Sequence, residues 1–373
     1  MCIHILFTIK GVKIIIYIHL NYHTLMDLTK YYKKGLTGMA NLGNTCFLNS
    51  CMQVINHTYE LNEILDNNVI VKYVKEGIDD TIIFNEWNEL RNVLWSRNGV
   101  VAPKKFVHYV HLVAEKKDRD LFTGYSQNDM PEFLQFFIDC IHNSISRKVH
   151  MKINGKPKNN RDIMAKKCLD MLKDVYSCEY SEIMELFYGI YVSEIISGDL
   201  KQYYAMKPEQ FFILDLPIVD ESNHKQLTHL YQCFDQYIHP ERLAGDNAWY
   251  NEKTKKKEDV VKQISFWSLP RILVIVLKRF TPDGQYKITS NIDIPVNDLD
   301  LSRYVKNYNP SSNVYDLYGI CNHYGGISDG HYTACVRNAE NKWIYFNDEE
   351  ISIIQDEKSV VTSNAYCLFY RKK

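Results

Sequence analysis

The sequence predicts an α+β protein, helices first and sheet second, and three observations carry that prediction. Residues from about 36 to 150 space their apolar side chains by three and four. From Arg271 onward the chain falls into short β-branched and aromatic runs between Gly, Asn and Asp turns. No stretch alternates strand and helix as a parallel sheet would require.

At 373 residues, 46% apolar and 13% aromatic, the chain can bury a sizeable core in one large domain or two smaller ones. A net charge of −1 argues against a general polyanion binder, so no nucleic-acid partner is expected. Ten cysteines without regular spacing fit reduced intracellular thiols better than a disulfide framework. No C-x-x-C pair occurs. The near pairs Cys321/His323 and His108/His111 lack a second half, so no metal and no cofactor is expected.

The elements follow in order. Residues 1–34 stay an unassigned extension. Lys10, Gly11 and Lys13 split its isoleucine-rich run into halves far short of the roughly 20 residues that span a bilayer. No basic n-region and cleavage site follow, so stable membrane insertion is not expected and a cytoplasmic or nuclear place is. A peripheral strand, a membrane-associating arm, or a start further along, at Met26 or Met39, all fit.

The stretch "GLTGMANLGNTCFLNSCMQVINH" breaks at Gly35, Gly38 and Gly43, offers Asn44 and Thr45 as caps, and then runs helical from Cys46 to about Asn56. At about 100° per residue, Phe47, Leu48, Cys51, Met52 and Ile55 share one apolar stripe. Cys51 is therefore expected to be core. Cys46 points away from that stripe in the first turn, where unpaired N–H groups favour a thiolate. It is either a working thiol or an idle one.

"FNEWNELRNVLWS" and "MPEFLQFFIDCIHNSI" are expected helices, the second with Pro131 in its first turn and Ser126 or Asn128 as cap. Residues 149–162 are a polar loop, 163–185 a further helix, and "LFYGIYVSEII" a strand. "NEKTKKKED" is expected to be a solvated hairpin tip. "RILVIVLKRF" suits a strand buried on both faces, and "VYDLYGICNHY", "HYTACVRN", "KWIYFND" and "AYCLFYRKK" are further strands.

A nucleophilic thiol needs a base and a third group that holds the imidazole. His323 and His331 flank "YGGISDG", whose glycines imply a tight loop between two strands. The next strand ends in "YFNDEE", where either Asn347 or Asp348 is placed to accept from imidazole Nδ1–H. The Cys46 backbone N–H and the Asn41 amide are candidate oxyanion donors.

These blocks resemble the ubiquitin-specific protease family, the papain-like deubiquitinases. The likeness rests on "GLTGMANLGNTCFLNSCMQVI", "YGICNHYGGISDGHYTACVR" and "WIYFND". "GYSQNDMPEFLQFFIDCIH" is similar to that family's Gln-Gln-Asp helix, with Asn128 replacing the second Gln, and "FWSLPRILVIVLKRF" and "AYCLFYRKK" match further blocks in order. The resemblance covers Gly35 to Lys373. It implies a helical thumb (about 35–185), β fingers (about 186–268) and a β palm (about 269–373). It further implies Cys46 as nucleophile, His331 as general base, Asn347 as third member with Asp348 as the alternative, and Asn41 in the oxyanion hole. Gly325 and Gly326 would line a channel for the Gly-Gly tail of ubiquitin, beside His323, and Asp129 and Glu132 would face its basic residues. The expected partners are ubiquitin and ubiquitinated proteins. One departure stands out: the two C-x-x-C pairs of a zinc ribbon would fall near "IISGDLKQ" and "GDNAWYNEK", and neither has cysteine. The fingers are therefore expected to be metal-free and held by β pairing. Competing readings are a catalytically dead ubiquitin-binding module and a protease for another Gly-Gly-ended modifier.

Overall fold

The computed structural model describes strands His4–Ile9 and Val12–Tyr17 and residues 26–373, apart from residues 120, 121, 123, 125, 201, 221, 282, 327 and 328. Helices dominate residues 46–187, α1 (Cys46–Asn56), α2 (Tyr59–Leu65), α3 (Asp79–Ser96), α4 (Lys104–Lys116), α5 (Met130–Ile145), α6 (Asn160–Cys178) and α7 (Glu182–Phe187), with a short parallel pair, Thr37–Met39 and Gly99–Val101, beside them. The loop expected over 149–162 ends at Asn159, which caps α6 by accepting from Asp162 N at 2.9 Å. The single helix expected over 163–185 is two, broken at Tyr180–Ser181.

After α7 the chain builds a four-stranded finger sheet in the order Tyr203–Phe211, Gly189–Ser197, Val260–Ser268, Glu241–Leu243. At its far end, where the zinc ribbon would fall, the rings of Tyr204 and Trp249 stack at 5.8 Å. "NEKTKKKED" does form a hairpin, Trp249–Asn251 pairing with Lys256–Glu258.

The palm is an eight-stranded sheet. Its path runs Glu350–Ile354, Trp343–Asn347, His331–Arg337, Val314–Tyr324, Ala365–Lys372, Ile272–Leu277, Ile213–Leu216, with Leu299–Asp300 paired to the side of Val314–Tyr324. Ile213–Leu216 sits within the span expected for the fingers, yet pairs in parallel with Val274–Leu277 and so extends the palm. The Ile272–Leu277 strand is buried on both faces, as its composition predicts. Ile272, Val274 and Val276 face the core shared with the thumb helices, and Leu273, Ile275 and Leu277 the core shared with α8 (Leu230–Tyr237).

Helix α1 lies between α5 and the palm, and all eleven of its residues are buried rather than one stripe. Its polar face reaches polar neighbours. Gln53 Nε2 donates to Thr37 O at 2.8 Å, and Asn49 Nδ2 to Met39 O at 3.2 Å. Hydrogen bonding, not exposure, explains why the helical wheel has a polar side.

Candidate active site

The chain enters α1 through a loop that only certain residues tolerate. Gly43 has φ 101° and Asn44 φ 54°, both left-handed. Thr45 occupies the cap position, but its hydroxyl accepts from Leu42 N at 2.9 Å instead of capping the helix. The first-turn N–H groups are left facing Cys46. Its thiol also meets the backbone N–H of Tyr332, the residue after His331. The helix start and the sheet strand therefore touch at the sulfur.

Cys46 is only 1% exposed, against the outward orientation expected of it. Burial pushes its thiol above the usual value and the Asp348 charge adds to this, while the N–H groups of Tyr332, Phe47 and Cys46 itself pull the other way. The helix start softens the desolvation but does not overcome it. Cys51 is fully buried beside Cys321, a core thiol.

His331 opens its strand, and its Nε2 lies 2.7 Å from Asn347 Oδ1. The expected contact through Nδ1 is corrected here. Ala334 pairs with Phe346, so Asn347 lies beyond that pair, diagonal to His331 rather than opposite it. The far ring nitrogen spans that diagonal.

Asp348, the other candidate orienter, faces elsewhere. One carboxylate oxygen accepts from Asn41 Nδ2 at 2.9 Å and the other from Asn49 Nδ2 at 2.7 Å. Its carbonyl accepts from Met39 N at 2.9 Å. Asn41 Oδ1 in turn accepts from Gly43 N and Thr45 N, both at 3.1 Å. The Asn41 side chain is thus fixed at both ends beside the nucleophile loop.

The residues expected to contact substrate divide. Glu132 is exposed in the first turn of α5. Asp129 is partly buried: Oδ1 accepts from Tyr332 Oη at 2.9 Å and Tyr366 Oη at 3.1 Å, and burial pushes its carboxyl up to about 6. Asp129, not Ser126 or Asn128, is the residue before α5; Asn128 instead bonds Ser126 O and Phe122 N. His323 is 3% exposed, ringed by Phe280, Tyr332 and Tyr366, with burial holding it neutral at about 4. It forms floor beneath the loop rather than wall: a Cβ on Gly330 would stand 2.1 Å from its Nε2. Gly325 has φ 75°, and Gly326 N donates to Asp329 Oδ1 at 3.2 Å.

Sequence reasoning did not single out Asn49, Tyr332, Tyr366 or Gln127. Gln127 Nε2 reaches Asn44 Oδ1 at 3.1 Å and joins the approach to α5 to the nucleophile loop. An Asn three residues after the cysteine, on the face the wheel calls polar, was the available signal for Asn49.

A helix-borne cysteine set against a sheet-borne histidine and asparagine, in an α+β body, defines a papain-like cysteine peptidase fold. The chain belongs to the ubiquitin carboxyl-terminal hydrolase family, whose model matches residues 37–370. It is 32% identical over 344 residues to human "Ubiquitin carboxyl-terminal hydrolase 2", covering 90% of this chain and 55% of that protein. It is 31% identical to Drosophila melanogaster "Ubiquitin carboxyl-terminal hydrolase Usp2", covering 91% of this chain and 35% of that one. The chain thus spans about half or less of the length of these curated relatives. Among solved structures, the "SAGA Ubp8/Sgf11/Sus1/Sgf73 DUB module bound to ubiquitin aldehyde" aligns with a TM-score of 0.69 at 25% identity, over 94% of this chain and 72% of that one. No helix among the described residues is long and apolar enough to cross a membrane.

Proposed function

We propose that this chain is a deubiquitinating cysteine peptidase that hydrolyses the (iso)peptide bond after the C-terminal Gly-Gly of ubiquitin. The observation that carries the reading is the 2.7 Å contact of His331 Nε2 with Asn347 Oδ1, on the strand whose next N–H meets the Cys46 thiol. Asn347 accepts from Nε2–H and so fixes the tautomer that leaves Nδ1 basic. Nδ1 takes the proton of Cys46 as the sulfur attacks the carbonyl carbon after Gly-Gly. The oxyanion falls between the Cys46 N–H and the Asn41 amide, which Asp348 positions. The imidazolium then protonates the leaving amine. Water, activated by the same nitrogen, cleaves the thioester and frees the ubiquitin carboxylate.

Asp348 is a positioning residue here and Asn347 the group on the imidazole. Gly325 and Gly326 line the tail's channel, with Glu132 as the accessible acidic contact and Asp129 deeper behind the tyrosines. The thumb, finger and palm spans stay as read from the sequence, with Ile213–Leu216 assigned to the palm. The relatives' names and the ubiquitin aldehyde bound in the aligned module support ubiquitin as the modifier.

The test is reaction of the purified chain with ubiquitin carrying a thiol-reactive C-terminal group, beside equivalent probes of other Gly-Gly-ended modifiers. One covalent adduct with the ubiquitin probe is expected, lost in Cys46→Ala. Adduct persisting in that variant would move the nucleophile. A faster adduct with another modifier would move the substrate. Binding without reaction would make the chain a ubiquitin-binding module.

A further inference from the structure

The strand Val314–Tyr324 loses one neighbour just before it reaches the site. Its pairing with Ala365–Lys372 ends at Asn322↔Ala365, while on its other side Tyr324 is still paired with His331. His323 lies between these two points. Its N–H donates to Asn364 O at 2.9 Å. In an antiparallel ladder the N–H and C=O of one residue face the same neighbour, so the His323 carbonyl also looks toward Asn364. That donor is turned away, since Asn364 N goes to Thr362 Oγ1 at 3.2 Å. A carbonyl on a residue only 3% exposed would be left without its ladder hydrogen bond.

Lys287 fills the place. Its Nζ donates to His323 O at 2.5 Å. Residue 287 stands opposite Phe280 in an antiparallel bridge, and Ile288 N donates to Arg279 O at 2.7 Å, so the lysine springs from fixed backbone just beyond the Ile272–Leu277 strand. The Phe280 ring meets the His323 ring edge-on at 5.4 Å. The position is a poor one for a cation. Burial, and then the nearby Arg279 guanidinium, lower the Lys287 ammonium to about 8. A lysine serving only solubility would sit in water at its ordinary value.

His323 hands the constraint on to the catalytic strand. Its main chain leads into Tyr324, the partner of His331. Its ring lies against Gly330, where a Cβ would stand 2.1 Å from Nε2, and against Tyr332, with ring centres 4.6 Å apart. Those are the residues on either side of His331.

We propose that Lys287 is a positioning residue for the general base: it stands in for the strand donor that Asn364 withholds, and so fixes the strand end against which His331 is aligned. Its effect passes through His323. The proposal rests on His331 as the base and is independent of which modifier is cleaved.

The test compares Lys287→Met, which keeps the stem and loses the donor, with Lys287→Arg, which keeps a donor. On a fluorogenic C-terminal amide of ubiquitin, the full chain carrying Lys287→Met is expected to lose about tenfold or more in kcat, with KM changed by less than about twofold. Lys287→Arg is expected to stay within about threefold of the parent in kcat. A second readout needs no substrate: ring-nitrogen NMR spectra of His331, recorded with the ring neutral and assigned against His331→Gln. The parent should show one tautomer, protonated at Nε2, and Lys287→Met a mixture of two. Parent-like kcat in Lys287→Met, or a single tautomer retained there, overturns the proposal. So does an equal loss in both variants, or a loss confined to KM, which would make Lys287 a substrate contact. A parent chain inert toward the ubiquitin amide would sink the ubiquitin reading instead, and the ring spectra would still decide the role of Lys287.

Discussion

The palm and the fingers are both mainly antiparallel sheets, but they solve different problems. The palm is covered on both faces: Ile272–Leu277 is buried at every position, and Ala365–Tyr370 likewise. The finger strands are half-open, with exposed or partly exposed residues along Tyr203–Phe211 and Val260–Ser268. Part of the fingers' buried polarity gathers at one carboxylate. Glu194 is fully buried, accepts from Lys306 Nζ at 2.8 Å, and is also bonded by Ser265 Oγ. The palm brings one polar group, Asp348, onto α1, beside the contact of His331 with Asn347. A rigid two-faced sheet can hold an imidazole to within a few tenths of an ångström. A one-faced sheet with an exposed surface is suited to being gripped against. On the proposed reading, chemistry lives on the first and recognition on the second.

The largest break in this contrast comes from the catalytic end of the palm. Asn347→Ala removes the acceptor that fixes the His331 tautomer, and kcat is expected to fall by about 10²–10³-fold with the fold intact. Asp348→Ala acts through Asn41 and Asn49. Two amides lose their acceptor, costing about 1–3 kcal/mol of stability and about tenfold in kcat/KM. Steady-state kinetics on a ubiquitin substrate, with thermal melting alongside, separate the two. An equal or greater kinetic loss in Asp348→Ala would transfer the imidazole contact to that residue.

Packing gives the next comparison. Ile275→Ala opens a cavity in the core between the palm and α8, with an expected cost of about 2–5 kcal/mol. Tyr204→Ala loses the stack on Trp249 in the fingers, worth about 0.5–1.5 kcal/mol beyond its burial. Denaturant unfolding of both variants measures the difference. If Tyr204→Ala proves the costlier, the ring stack carries the fingers and the palm is the more forgiving sheet.

How much of this was legible in the sequence follows the range of the interactions. The buried palm strands were readable because β-branched composition is a local property. Cys46, His331, Asn347 and Asn41 were readable as ordered blocks of a known family, and their types fit the chemistry independently. The burial of α1 was not, since a helical wheel assumes one wet face, and Gln53 and Asn49 keep theirs dry by bonding Thr37, Met39 and Asp348. The division of labour between Asn347 and Asp348 was also hidden. It depends on strand register, which sets Asn347 diagonal to His331 and turns Asp348 toward α1. The same holds for Asp129, whose tyrosine partners stand 203 and 237 residues away.

That last residue supplies the smallest effect and the sharpest sign. Asp129 joins α5 to two palm strands, and burial raises its carboxyl from 3.8 to about 6. Between those values the folded chain keeps a proton that the unfolded chain has released, so stability falls as pH rises through the window, by up to about 3 kcal/mol. His57 opposes it. Burial lowers that imidazole from 6.5 to about 4, so its contribution to stability grows as pH rises over an overlapping range. Asp129→Asn isolates the carboxyl, because an amide offers the tyrosines an acceptor with no proton to lose. The variant and the parent should match near pH 4, and the variant should gain steadily to about 2 kcal/mol near pH 7. Tyr204→Ala, in the fingers, should show a stability difference independent of pH over that range. If the Asp129→Asn difference is equally flat, the carboxylate is not desolvated between thumb and palm, and the palm end is wetter than its tyrosine clamp implies.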